Sequence, residues 1–221
     1  EEINRVVVDH IASIHFCSSQ HGVDNLAKEG INQQVHNVGD VMKDVLKRHL
    51  NLATQRYSVT DFMPENVTSY TLLTVHRAQN TNNSSRWNNI IEAASELDHP
   101  VLWPVHPRNK SLIANRKLPN NLITIPPVSY LQMLVLLSHA NRVLTDSGGL
   151  QKEAYWLKRP CITLREETEW VETLHGNWNI LAGAQINKIL EACSSTPHPP
   201  WKPLYGNGKA AQKIANVLKK R

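Results

Sequence analysis

Apolar residues recur along this chain with two alternating spacings, and each spacing predicts a different element. Apolar positions three or four residues apart predict α-helices, and short apolar runs bounded by turn residues predict buried strands. The predicted helices cover residues 2–13, 23–28, 41–52, 86–97, 108–115, 130–139, 149–157, 171–175, 186–193 and 209–219. The predicted strands cover residues 14–18, 35–38, 70–75, 101–105, 122–125, 142–145, 160–164 and 179–181. Because the two kinds of element alternate almost throughout, we expect right-handed crossovers and an α/β fold with a doubly wound parallel sheet.

The predicted elements fall into three segments. Residues 41–205 carry roughly six strands, enough for one complete doubly wound domain. Residues 1–40 carry too few elements for a core of their own, so we expect them to be the tail of a preceding domain. Residues 206–221 form a last helix that either packs on the second domain or returns to the first. The chain begins at Glu1, inside the first predicted helix, and we therefore expect a piece of a longer protein or a processed product.

The composition narrows the class of partner. The 221 residues carry a net charge of +5, but the lysines and arginines are dispersed apart from Lys219, Lys220 and Arg221. A dispersed excess is typical of a solvated surface or of a site for phosphorylated metabolites, and no aromatic–basic patch favours nucleic acid. The longest apolar run, residues 131–137, is far too short to span a bilayer. We therefore expect neither nucleic acid nor a membrane as a partner.

The cysteines and histidines argue against a metal centre. The three cysteines are widely separated and form no Cys-x-x-Cys pair, a pattern typical of reduced thiols in a cytoplasmic protein. The eleven histidines include no pair with a convincing metal-ligand spacing. The predicted location is the cytoplasm, and the predicted chemistry uses no metal.

Residues 144–154 predict a strand that stops at a tight turn and opens into a helix. Ser147 stands at the expected N-cap, and Gly148 and Gly149 let a ligand approach the backbone closely. The first turn of such a helix presents unpaired N–H groups and a positive dipole end, which suit a phosphate. Glu153 lies one turn further on the same face, where its carboxylate can accept hydrogen bonds from sugar hydroxyls. A capped helix without a ligand is the alternative for this stretch alone.

Three further strand ends carry charged or titratable side chains. His76 and Arg77 follow one predicted strand, and His106 and Arg108 follow the next. Arg165 follows a third. Histidine titrates near neutrality, and a guanidinium can hold phosphate with two parallel hydrogen bonds. These residue types therefore suit an anionic ligand.

Each of these strand ends also has an explanation without a ligand. A His–Arg pair can fix a loop, Pro107 suits the first turn of a helix, and Thr168 followed by Glu172 is an ordinary capping pattern. In doubly wound sheets, however, ligands bind beyond the carboxyl ends of the strands. Four such ends around one sheet edge favour a nucleotide-sugar or nucleotide-phosphate site.

Several motifs together resemble those of the non-hydrolysing UDP-N-acetylglucosamine 2-epimerases. They follow the order of that family and span nearly the whole chain. The Glu-Thr-Glu-Trp-Val-Glu form resembles the branch that includes epimerases of related diacetamido-uronic acid sugars. The matching stretches are residues 1–5 (EEINR), 38–42 (VGDVM), 74–80 (TVHRAQN), 104–108 (PVHPR), 144–154 (LTDSGGLQKEA) and 159–170 (RPCITLREETEW).

The resemblance implies a fold and a reaction. The family has two Rossmann-like domains in a glycosyltransferase-B arrangement, with the active site in the cleft between them. By this resemblance the last helix crosses back to the N-terminal domain, and most of that domain is absent from the chain. The family inverts C2 of the sugar: a base removes the C2 proton, UDP leaves from C1, and UDP adds back after reprotonation on the other face. This implies a UDP-sugar as substrate, no cofactor, and a homodimer for the complete protein.

The resemblance also assigns roles to residues of this chain. Glu1 corresponds to a catalytic carboxylate and His76 to the active-site histidine, which acts on the leaving diphosphate or the sugar. Arg77 and His106 resemble positions that touch a second, regulatory UDP-sugar in some bacterial members. The positions implied to bind UDP are Arg77, Ser147, Gly148, Gly149, Glu153 and Arg165.

The chain departs from the family pattern at three places. Gln79 stands where the family usually has Glu, and Trp170 stands where other branches have an Arg that contacts the nucleotide. Two further catalytic acids belong to the N-terminal domain, so this chain holds only part of the acid–base set. We therefore expect the isolated chain to bind UDP weakly or not at all and to have no epimerase activity.

Two other functions remain open from the sequence. A UDP-sugar glycosyltransferase of the same architecture would also use the Ser-Gly-Gly turn and Glu153, although the motifs around His76 and His106 favour the epimerase. A nucleotide-sugar-binding fragment without turnover is the other possibility. The missing N-terminal domain and the presence of Gln79 in place of the usual Glu support it.

Overall fold

A computed structural model of the chain describes residues 2–63, 67, 69–114, 116–198 and 201–220. Its α-helices are α1 (Glu2–Ile11), α2 (Gln20–Lys28), α3 (Val41–Arg56), α4 (Ala78–Thr81), α5 (Ser84–Ser95), α6 (Lys110–Ile113), α7 (Tyr130–His139), α8 (Gly148–Trp156), α9 (Ile186–Ser194) and α10 (Ala210–Leu218). Its strands are β1 (His15–Cys17), β2 (Val35–Asn37), β3 (Thr71–Thr74), β4 (Val101–Pro104), β5 (Leu122–Ile125), β6 (Arg142–Thr145), β7 (Cys161–Thr163) and β8 (Asn179–Leu181). Short 3₁₀ helices cover Val59–Asp61, Pro107–Asn109 and Val171–Asn177.

The predicted doubly wound sheet is confirmed. Six parallel strands lie in the order β5-β4-β3-β6-β7-β8. The chain therefore steps outward from β3 to β5, returns to β6 beside β3, and steps outward again to β8. In such sheets the point where the order reverses is the usual ligand-binding crevice, and here it lies between β3 and β6.

Helices cover both faces of this sheet, and the alternation of side chains along a strand explains why the strands are apolar throughout. Leu72 belongs to the hydrophobic cluster on one face, and its neighbour Leu73 belongs to the cluster on the other. Trp87 and Trp103 fill the second of these clusters with their ring centroids 5.6 Å apart. The buried sheet gives the strand ends a rigid base.

The chain forms two compact units, residues 49–201 and residues 1–48 with 202–221. The first of these holds the six-stranded sheet. The other holds a two-stranded parallel sheet, in which Phe16 of β1 pairs with His36 of β2. In the same unit the Asp44 carboxylate accepts hydrogen bonds from the first backbone N–H groups of α10, at Ala210 (3.0 Å) and Ala211 (2.8 Å). A carboxylate there also complements the helix dipole.

Several predicted boundaries differ from the structure, two of them for clear local reasons. The helix predicted at residues 41–52 continues to Arg56 in α3, and the 3₁₀ turn Val59–Asp61 follows it, held by a capping box of Ser58 and Asp61. The helix predicted at residues 108–115 is a 3₁₀ turn, Pro107–Asn109, followed by the single turn α6; residue 115 lies outside the described part. His106 caps that turn by accepting from the backbone N–H of Arg108.

Thr168 does not have the capping role predicted for it. Trp170 is the N-cap of the 3₁₀ helix Val171–Asn177. The Thr168 hydroxyl instead accepts from the Trp170 backbone N–H (3.1 Å) and donates to Gln151 in α8 (2.6 Å). Within the described residues, no helix is both long and apolar enough to cross a membrane.

Candidate functional site

The residues that follow β3 and β6 meet at the reversal point of the sheet. Thr74 of β3 and Thr145 of β6 are register partners, and their hydroxyls lie 2.6 Å apart. The loop that begins with His76 therefore lies beside the turn that begins with Asp146. Two strand ends that the sequence treats separately form one site.

A cavity of about 310 Å³ opens at this point. Its polar groups come from five residues, and four of these, His76, His106, Ser147 and Glu153, are predicted site residues. A mostly apolar wall with a few placed polar groups is typical of a small-molecule site. The complete lining is Thr74, Val75, His76, Pro104, His106, Pro107, Pro127, Val128, Met133, Ser147, Gly149, Leu150 and Glu153.

The N-terminus of α8 forms one side of the site. Ser147 is its N-cap, as predicted, and the Ser147 hydroxyl accepts from the Leu150 backbone N–H at 3.4 Å. The backbone N–H of Ser147 donates to the Thr145 hydroxyl at 3.0 Å. Gly148 and Gly149 open the nine-residue helix, so their N–H groups belong to the first turn, which has no partners within a helix. These groups and the helix dipole suit an anion.

Arg77 lies beside Gly148. A Cβ atom placed on Gly148 would stand 3.8 Å from Arg77 Nη2, 3.6 Å from Glu169 Oε2 and 3.5 Å from Trp170 Nε1. Within the described part of the chain, the Arg77 guanidinium makes no hydrogen bond and no ion pair. It is therefore a cation placed next to a helix N-terminus with its donors available.

Arg165 is differently placed from the other predicted binding residues. It is buried, and its guanidinium donates to both oxygens of Glu169, at 3.0 and 2.7 Å. This bidentate pair raises the pKa of Arg165 and lowers the pKa of Glu169. The cavity lining does not include Arg165, but its partner Glu169 reaches the space over Gly148.

Asp146 is a site residue that the sequence reasoning missed. Its fully buried carboxylate accepts from the backbone N–H groups of His76 (3.1 Å) and Arg77 (2.9 Å) and from the Asn80 amide (3.0 Å). His76 Nδ1 lies 3.2 Å from Asp146 Oδ1. The signal available in the sequence was an acid directly after a buried strand, where a buried charge needs partners.

Burial and nearby positive charges lower the pKa of His76. Burial is the largest cause that lowers the pKa of His76, and the nearby His106, Arg77 and Arg108 lower it further. The carboxylate of Asp146 acts in the opposite direction. His106 stacks on His76 with ring centroids 5.3 Å apart, and Arg108 Nη1 donates to the backbone oxygen of His76 at 3.1 Å. An anion brought to this cluster would favour the protonated imidazole.

Glu153 lies in the cavity wall and is almost fully buried. The Tyr130 hydroxyl, at the start of α7, donates to Glu153 Oε1 at 2.9 Å. Burial raises the pKa of Glu153, and this is opposed by the bond from Tyr130 and by the charge of Lys152. Tyr130 itself has a raised pKa because of burial and the neighbouring carboxylate.

The two residues that depart from the family pattern have specific contacts. The Gln79 amide donates to Glu166 Oε2 at 3.2 Å, and Glu166 is also paired with Arg86 at 2.5 Å. Lys152 Nζ lies 3.6 Å from the ring centroid of Trp170, a close cation–π contact. Gln79 therefore ties α4, which follows β3, to the loop after β7.

Glu1, the predicted catalytic carboxylate, lies outside the described residues. In the part of the chain that the structure describes, no group of three His, Cys, Asp or Glu side chains is placed to hold a metal ion.

Residues 1–219 match the family described as UDP-N-acetylglucosamine 2-epimerase. A UDP-N-acetylglucosamine 2-epimerase homolog from Methanococcus maripaludis is 43% identical over 228 residues, which is 99% of this chain and 64% of that protein. The UDP-2,3-diacetamido-2,3-dideoxy-D-glucuronate 2-epimerase of Pseudomonas aeruginosa is 38% identical over 229 residues, which is 100% of this chain and 63% of that protein.

A solved structure of a family member resembles the chain along its whole length. The crystal structure of the Methanocaldococcus jannaschii UDP-GlcNAc 2-epimerase in complex with UDP-GlcNAc and UDP superposes with a TM-score of 0.89 at 37% identity. The match covers 100% of this chain and 65% of that one. The chain thus spans just under two thirds of the length of the relatives that it matches.

Proposed function

Because the chain belongs to the UDP-N-acetylglucosamine 2-epimerase family, we propose that it carries the nucleotide-diphosphate part of a UDP-sugar 2-epimerase site. The observation that supports this most directly is the meeting of Arg77, His76 and the N-terminus of α8 at the reversal point of the sheet. A cation with available donors, a histidine and first-turn N–H groups are the groups that hold a diphosphate.

In this proposal the residues of this chain act on the leaving group. The N–H groups of Gly148 and Gly149 and the guanidinium of Arg77 hold the diphosphate oxygens as the bond from C1 to oxygen breaks. His76 is neutral in the free chain and takes up a proton from solvent when the diphosphate binds, so that the imidazolium can stabilise the negative charge that develops on UDP. Glu153, with Tyr130, accepts hydrogen bonds from the ribose hydroxyls. Arg165 pairs with Glu169 beside Gly148 and so offsets the repulsion between that carboxylate and the diphosphate.

The proposed reaction is the interconversion of UDP-GlcNAc and UDP-ManNAc, or of a related UDP-diacetamido sugar, by elimination and re-addition of UDP. The names of the relatives from M. maripaludis and P. aeruginosa support the two alternatives. Glu1 is the proposed catalytic carboxylate of this chain. The proton transfers at C2 require further carboxylates, which we assign to the part of the relatives that the chain does not match.

We propose accordingly that the 221-residue chain binds nucleotide weakly and does not turn over substrate alone. The full-length protein is proposed to be a cytoplasmic homodimer. The three cysteines are unpaired and buried in the structure, which suits a reducing compartment.

Two measurements test the proposal. An NMR titration with UDP should perturb resonances of the loop at His76 and of the first turn of α8, and a titration with inorganic phosphate should perturb the same loop more weakly. A coupled assay should detect no UDP-ManNAc when UDP-GlcNAc is incubated with the chain alone. UDP-induced resonance shifts elsewhere on the molecule, or no shifts at all, would contradict the proposed binding site. Epimerase turnover by the chain alone would contradict the proposed inactivity. Transfer of the sugar to an added acceptor would favour a glycosyltransferase.

A further inference from the structure

The position of Asp146 beside His76 bears on which ring nitrogen carries the proton. The Asp146 carboxylate has no exposure to solvent, and His76 Nδ1 lies 3.2 Å from its Oδ1 atom. An ionised carboxylate only accepts hydrogen bonds. A lone pair on Nδ1 would face the acceptor oxygen of Asp146, so in the neutral ring we expect the hydrogen on Nδ1 and the lone pair on Nε2. Nε2 makes no hydrogen bond to any other residue that the structure describes.

Asp146 is in turn fixed from its other side. Oδ2 accepts from the Arg77 backbone N–H at 2.9 Å and from Asn80 Nδ2 at 3.0 Å. These bonds leave the carboxylate little freedom to rotate away from His76.

The fully buried Asn80 amide has hydrogen-bond partners for both its N–H groups and for its oxygen. Nδ2 also donates to the Leu164 backbone oxygen at 3.0 Å, and Oδ1 accepts from Arg86 Nε at 3.0 Å. Because two acceptors face the amide nitrogen and one donor faces the amide oxygen, the orientation of the amide is determined by its neighbours. A buried, fully satisfied network of this kind is rigid.

We propose that Asp146, held by Asn80, is the positioning residue that keeps the proton of neutral His76 on Nδ1 and leaves Nε2 as the proton-accepting atom for a ligand in the cavity. The identity of that ligand as a diphosphate rests on the proposed function. When a diphosphate oxygen approaches, Nε2 takes up one proton from solvent and the imidazolium donates it as a hydrogen bond to that oxygen. No bond within the protein is broken.

Four charged or titratable groups surround His76 and enter its titration. They are Asp146, His106, Arg77 and Arg108, and Asp146 is the one that favours the protonated ring. Removing the Asp146 charge should therefore lower the pKa of His76 further. Burial is the largest cause of the lowered pKa of His76. A loosened site that exposed the ring would therefore raise this pKa toward its ordinary value.

The test uses the ligand-free 221-residue chain with ¹⁵N-labelled histidine. Ring ¹⁵N–¹H correlation spectra report which nitrogen bears hydrogen, and His76→Gln identifies the His76 signals by their loss. We expect the Nδ1–H form in the unsubstituted chain. Asp146→Asn should lower the pKa of His76 and reduce the Nδ1–H fraction.

Gln79→Ala is the matched control. Gln79 lies in α4 next to Asn80, but its side chain donates to Glu166 rather than to Asp146, so the tautomer of His76 should not change. A predominantly Nε2–H ring in the unsubstituted chain overturns the proposal, and so does an unchanged Nδ1–H fraction in a folded Asp146→Asn variant. The tautomer of His76 in the unsubstituted chain tests the proposal even if Asp146→Asn does not fold. Neither result depends on UDP binding, so a failure of the proposed function is recognised separately.

Discussion

The Tyr130 hydroxyl donates to Glu153 Oε1 over 2.9 Å and so joins the start of α7 to the middle of α8. The bond keeps a buried carboxylate in the cavity wall supplied with a donor when no ligand is present. A ribose hydroxyl could add a second donor to the same carboxylate. Glu153 is therefore satisfied before and after ligand binding.

Replacing Glu153 by Gln should weaken UDP binding about tenfold, because a hydrogen bond to a charged group contributes about 1.5–3 kcal/mol. NMR titration measures the change. Glu191→Gln, on the exposed side of α9, is the control and should bind UDP like the unsubstituted chain. Equal affinity of the Glu153 and Glu191 variants would contradict a ribose contact.

The same substitution should change how stability depends on pH. The pKa of Glu153 is raised in the folded chain, so the folded state holds a proton that the unfolded state has already lost. The free energy of unfolding then falls as pH rises from the ordinary glutamate pKa to the raised one. Glu153→Gln should flatten this part of the profile in urea denaturation; an unchanged slope would argue against a raised pKa of Glu153.

Arg77→Ala should reduce UDP affinity about tenfold or more, since a guanidinium contributes charged hydrogen bonds to a diphosphate. The melting temperature should change little, because the Arg77 side chain has no hydrogen bond within the described residues to lose. Arg116→Ala is the matched control: Arg116 is an exposed arginine of the same compact unit whose side chain bonds Asn88. Parallel losses in both variants would indicate general charge attraction rather than a site.

Binding of UDP-GlcNAc should strengthen as pH falls through the histidine range. The pKa of His76 is lowered in the free chain, and a bound diphosphate would raise it. Between these two values the complex holds more protons than the free chain, so affinity rises with acidity. UDP-GlcNAc is the suitable probe because its diphosphate diester does not titrate near neutrality.

Calorimetry in buffers of different ionisation enthalpy measures the proton uptake. His76→Gln should remove most of it, whereas His10→Gln, on the exposed surface of α1, should not. Proton release on binding, or an uptake that persists without His76, would be inconsistent with this assignment.

Gly148→Ala should separate folding from binding. The added Cβ would meet its nearest neighbours at 3.5–3.8 Å, which is ordinary contact, so the melting temperature should stay within a few degrees. The methyl group would occupy the space shared by Arg77 and Glu169, so UDP affinity should fall about tenfold through loss of close backbone approach. Gly22→Ala, in α2, has similar room against Cys17 and should retain binding. Undiminished binding by Gly148→Ala would place the phosphate elsewhere.

Local patterns determined a large part of this fold. The strand at β6 and the helix at α8 were predicted because an apolar run, an N-cap serine and two glycines act over a few neighbouring residues. Where another local device competed, the prediction was wrong: Pro107 and the capping His106 produce a 3₁₀ turn, and Thr168 bonds Gln151 instead of starting a helix.

By itself, the sequence determined the order of the elements, the parallel sheet, the strand ends that His76 and Ser147 follow, and the helix that carries Glu153. Only the tertiary structure decided the partners of those residues. Asp146 meets His76 across 70 positions of the chain, and Tyr130 meets Glu153 across 23. Such contacts depend on which strands become neighbours, and strand order is fixed by packing of the whole sheet rather than by the pattern within any one segment.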